Sequence, residues 1–80
     1  MTTADERTNA VIATREFLEM LAAADGAASS EVRALALRLL RHYPLDVDIG
    51  TSAVALPGIW AQPDRNRHRA DLIRIAKRRR

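Results

Sequence analysis

Between Glu6 and Ala24 the chain reads ERTNAVIATREFLEMLAAA, a stretch with neither glycine nor proline in which apolar side chains return at helical spacing. A rod of that length crosses most of a small domain, so the rest of the chain has to be arranged around it. At ~100° per residue, Ala10, Val11, Thr14, Phe17, Leu18 and Leu21 share one side, while Arg15, Glu16 and Glu19 fall on the other. The start is marked by Thr3 as N-cap, with Glu6 three residues on to complete a capping box and Asp5 beside it at the positive end of the helix dipole. The end is marked by Asp25 and Gly26, the latter suited to the left-handed conformation that often follows a helix. These signals predict a helix over about residues 4–24.

The following DGAASS, residues 25–30, is short, small and polar, the composition of a turn between antiparallel helices. Ser29 or Ser30 caps a second helix over about 30–43, with Glu31 in its first turn. Its apolar face is Val32, Leu35, Ala36, Leu39, Leu40 and Tyr43, and Pro44 stops it by disfavouring helical geometry at Tyr43. The expected hairpin buries Phe17, Leu18 and Leu21 against Leu35, Leu39 and Leu40. Ile12 and Leu37 lie off their stripes, which points each toward a third element or a partner chain.

Three segments, DERTNAV at the start, TREFLEML over Thr14–Leu21 and LLRHYP over Leu39–Pro44, resemble a group of short conserved bacterial proteins of Burkholderia type. The likeness covers the first half of the chain. It implies a bacterial origin and a helical hairpin; the group has no assigned activity, so no site residue is carried over.

From Leu45 to Gln62 the pattern is mixed. Asp46 is placed to cap a third helix over about 47–56 with a thin apolar line of Ile49, Ala53 and Leu56, ended by Pro57 and Gly58. The rival is a strand over Ser52–Leu56, which would have nothing to pair with. Trp60 follows in a loop, as a plug over the core or as a contact residue.

The remainder is electrostatically distinct. Residues 1–63 hold five basic and eight acidic side chains, net −3, whereas residues 64–80 hold eight basic and two acidic, net +6, together giving +3. This divides the chain into a helical domain (1–63) and a basic segment (64–80), the latter read as a helix over about 65–76 that frays into Lys77–Arg80. The expected class is therefore all-α: an antiparallel hairpin, a short third helix and a basic C-terminal helix.

Chemistry is constrained mostly by exclusion. There is no cysteine, hence no thiolate metal site or cysteine nucleophile. Asp46, Asp48 and Gly50 open like a calcium loop, but Thr51 and Pro57 stand where that loop needs glycine and glutamate. His42 and His68 lack partners at metal-helix spacing apart from Asp71, and no serine or glycine-rich context suggests a nucleophile or phosphate loop. The expectation is a cytoplasmic, non-enzymatic protein with no cofactor, metal, membrane span or small-molecule substrate. Its first function class is sequence-independent nucleic-acid association through Arg67, Arg74, Lys77, Arg78, Arg79 and Arg80, by phosphate contacts and counterion release. An acidic protein surface would suit the same charges, and the bland counterpart is a solvated tail. The alternative is a protein-interaction adaptor using Ile12, Leu37 and Trp60, and the modest core of so short a chain leaves room for a homodimer.

Overall fold

The computed structural model describes residues 2–64, which are all-helical and contain no strand. Three helices follow in order: α1 (Ala4–Ala22), α2 (Ser30–Leu40) and α3 (Asp46–Ala55). The third helix expected over about 47–56 is present as α3, the rival strand over 52–56 is not formed, and the expected C-terminal helix lies outside the described residues.

The entry to α1 is closed reciprocally. Thr3 Oγ1 accepts from the Glu6 backbone N–H at 3.1 Å, and Glu6 Oε1 accepts from the Thr3 N–H at 2.9 Å. Thr3 holds the Glu6 carboxyl below the usual carboxylate range, its backbone N–H being the larger cause and its hydroxyl the smaller. The exit differs from expectation, since Ala23 leaves the helix in an extended conformation (φ −64°, ψ 134°) and no glycine has positive φ. Gly26 serves close approach instead: a Cβ there would lie 3.2 Å from the carbonyl oxygens of Met20 and Ala23.

Ser29 caps α2, its Oγ accepting from the Val32 N–H at 3.2 Å. The helix ends at Leu40, three residues short of the expected boundary. His42 and Tyr43 already make tighter bonds to the carbonyls of Leu39 and Leu40 at 3.3 and 3.2 Å, as the approach of Pro44 demands. In α3 the N-cap is Leu45, which has no side-chain acceptor, so only the return half of a box exists: the Leu45 N–H donates to Asp48 Oδ2 at 2.9 Å. Within α3, Thr51 and Ser52 hydroxyls donate back to the carbonyls of Val47 and Asp48 at 2.9 and 2.8 Å.

α1 packs on α2. The buried apolar side chains among the described residues are Ile12, Leu18, Ala36, Ile49 and Ala53, joined by Thr8. Ile12, read as lying off the main stripe and directed to a third element or a partner chain, is buried and so is not an outer contact, while Phe17, Val32, Leu35 and Leu39, read as the core-facing side, are exposed. The reason is a rotation of the α1 core side toward the third element. Thr8, Ile12 and Arg15 recur one turn apart, and the flanking two bind the segments around α3, so the residue between them is enclosed.

Candidate interaction surface

Two sides of α1 carry different chemistry. On the inner side, Arg15 Nη1 donates to the Pro44 carbonyl at 3.2 Å and Nη2 pairs with Asp46 Oδ1, tying the start of α3 to the middle of α1. Nearer the N-terminus, Arg7 Nη1 donates to the Ile59 carbonyl at 2.7 Å. Thr8 Oγ1 both donates to the Ala61 carbonyl at 3.1 Å and accepts from the Ala61 N–H at 2.9 Å. The turn after α3 makes this return feasible, as the Ile59 and Trp60 N–H groups both donate to the Leu56 carbonyl. Tyr43 completes the set, its hydroxyl donating to the Val11 carbonyl at 2.7 Å.

The outer side of α1 is different. Ala10, Thr14, Phe17, Met20 and Ala24 are exposed and uncharged, with Leu21 half-buried at their edge. On α2 the corresponding exposed stripe is Val32, Leu35 and Leu39, at i, i+3 and i+7. Phe17 is 54 % exposed, Leu35 52 % and Leu39 49 %. Helical spacing of this kind ordinarily faces a core, yet here it faces solvent.

The residues singled out from sequence are scattered. Leu37 is exposed, on the edge of α2 away from Leu39; Trp60 is half-buried; Ile12 is enclosed and offers no outer contact. These three do not form one patch. Arg67, Arg74, Lys77, Arg78, Arg79, Arg80 and His68 lie outside the described residues. Asp46 and Asp48, considered as the opening of a calcium loop, are engaged with Arg15 and with the Leu45 N–H. His42 is exposed, and among the described residues no group of three histidine, aspartate or glutamate side chains could hold a metal ion. A shallow groove between α3 and the returning segment, lined by Asp46, Val47, Gly50, Thr51, Val54 and Gln62, is wide open to solvent.

Phe17, Leu35 and Leu39 were legible as an apolar pattern, but their role as outer surface was not. What separates the two is the set of remote bonds made by Thr8 to Ala61 and by Arg15 to Pro44 and Asp46, which fixes that side of α1 as interior. No protein-family model, curated protein or solved structure matches the chain. Among the described residues, no helix is long and apolar enough to cross a membrane.

Proposed function

We propose that the chain is a non-enzymatic, cytoplasmic protein-interaction module in which α1 and α2 form an antiparallel hairpin and present their outer stripes as one docking face. The antiparallel arrangement is supported by the short link between Ala22 and Ser30 together with the bond from Tyr43, past the end of α2, back to Val11 in α1. Residue pairs whose numbers sum near that of Val11 and Tyr43 then stand at one level. Leu21 accompanies Val32, Phe17 accompanies Leu35, and Thr14 accompanies Leu39. With the third element on one side of the hairpin, these pairs share the other.

The observation that carries this reading is the half exposure of Phe17, Leu35 and Leu39 at helical spacing. Apolar patches of more than a few hundred Å² are uncommon on monomers and mark contact sites. The face replaces the trio of Ile12, Leu37 and Trp60 as the adaptor surface. A photo-crosslinking amino acid at position 35, in cells, should trap a protein partner, whereas the same label at Glu19 should not. Absence of any adduct at position 35 would remove the reading.

A second reading is supported by charge. The net +6 of residues 64–80 suits phosphate backbones or an acidic protein surface. The protein should then shift short duplexes at low salt, and replacing Arg78, Arg79 and Arg80 with Gln should flatten the log–log salt slope by about two to three units. No shift at ~50 mM salt would exclude it.

A further inference from the structure

We propose that the docking face is filled by a second copy of this chain, α1 of each copy lying against α2 of the other to complete a four-helix bundle. This rests on the reading of that face as a docking surface and goes further by naming the occupant and its orientation.

The core of the single chain is small. Only three large apolar side chains, Ile12, Leu18 and Ile49, are buried among the described residues, whereas eleven are exposed. A core this small is commonly supplemented by a staple or by oligomerisation, and these 80 residues contain no cysteine to form a disulfide. Pairing the stripes would add Phe17, Val32, Leu35 and Leu39 of each copy to the apolar interior.

The shape of the face suits a second copy. Each stripe recurs every three or four residues along its helix, the spacing that seats side chains of one helix between those of the next in a bundle. Because the face has an α1 half and an α2 half, it complements itself through a two-fold axis, as most homodimers do. Leu21 would meet the partner's α2 near Val32, and Phe17 near Leu35.

Charge selects between the two ways of applying that axis. α1 holds the carboxylates Asp5, Glu6, Glu16 and Glu19 and the arginines Arg7 and Arg15, so that it is acidic as a whole. α2 holds Glu31 against Arg33 and Arg38, with Arg41 immediately after it. An axis parallel to the helices places the acidic helix of one copy beside the basic helix of the other. An axis across them places α1 on α1 and α2 on α2, like charge on like. The first arrangement is the one proposed.

Sedimentation equilibrium of the full chain should give twice its 8.9 kDa mass, with a thermal midpoint that rises with concentration. Leu35→Glu, at an exposed position, should shift the protein to monomer. A wild-type monomer from micromolar to millimolar concentration, with a concentration-independent midpoint, would overturn the proposal even if Leu35→Glu failed to fold. In that case an adduct to a different protein at position 35 would preserve the docking face itself, and no adduct at all would remove both. Orientation is read by mixing Thr14→Cys with Leu39→Cys under mild oxidation. A mixed disulfide should exceed either self-disulfide, and dominance of the self-disulfides would refute the α1-on-α2 arrangement.

Discussion

Thr8 and Ala61 hold one another through a single hydroxyl, which gives its proton to the Ala61 carbonyl and receives the Ala61 N–H. The Thr8 residue is 1 % exposed, so neither backbone group of Ala61 has water as a ready substitute at that hydroxyl. A threonine inside an apolar helix face is here the fastening point of the segment that follows α3.

Replacing Thr8 with Val keeps the volume and removes both bonds. The expected cost is about 1–3 kcal/mol, as two backbone groups lose their partner. Chemical denaturation would register it as a lowered midpoint with unchanged slope, and amide exchange at Ala61 should accelerate; an unaltered midpoint would count against the fastening role.

Burial separates two residues that the sequence pattern placed together. Ile12→Ala should cost about 2–5 kcal/mol, because a 5 % exposed side chain leaves a cavity. Leu37→Ala, at a residue 51 % exposed, should stay within about 0.5 kcal/mol. Equal thermal shifts for the two variants would contradict the rotated core.

Gly50 sits within α3, where a Cβ would lie 3.0 Å from Gln62 Oε1. That atom ends an exposed, flexible side chain whose Nε2 bonds the Gly50 carbonyl at 3.1 Å, so it can swing aside with little loss. Helix propensity should then win, and Gly50→Ala is expected to stabilise by up to about 1 kcal/mol. A lowered unfolding temperature would mean that the Gln62 bond matters more than exposure suggests.

Acid sensitivity follows from the α1 cap. A carboxyl whose folded pKa is depressed stabilises the fold above its unfolded pKa, and this contribution is lost as pH falls through the folded value. Glu6 has that direction of shift, so the wild type should lose more stability than Glu6→Gln between neutral pH and the acid side of the usual carboxylate range. Parallel pH profiles for the two proteins would show that the Thr3–Glu6 box carries no charge-dependent stability.

The helices were legible because their signals are local. Thr3, Glu6, Ser29 and Pro44 act through neighbours a few positions away, and each does what its chemistry dictates. The side of α1 that becomes interior was not legible, because Thr8 and Arg15 are polar by composition and acquire interior roles only from Ala61, Pro44 and Asp46, whose positions along the chain are remote. Periodicity therefore found the Phe17, Leu35 and Leu39 stripe correctly as apolar and assigned it to the wrong side of the molecule. The basic segment was readable as charge and lies outside the described residues.

The hydroxyl back-bonds of Thr51 and Ser52 have a consequence for α3 as an object in its own right. A ten-residue helix that contains Gly50 and two side chains competing for its own carbonyls has little intrinsic reason to be helical. Excised as a peptide, it should be almost entirely coil in water, since helices so short rarely outlast their nucleation cost. Its shape is lent by the surface that receives Ile49 and Ala53, and a variant that spoils that surface should melt α3 without any change to its own sequence.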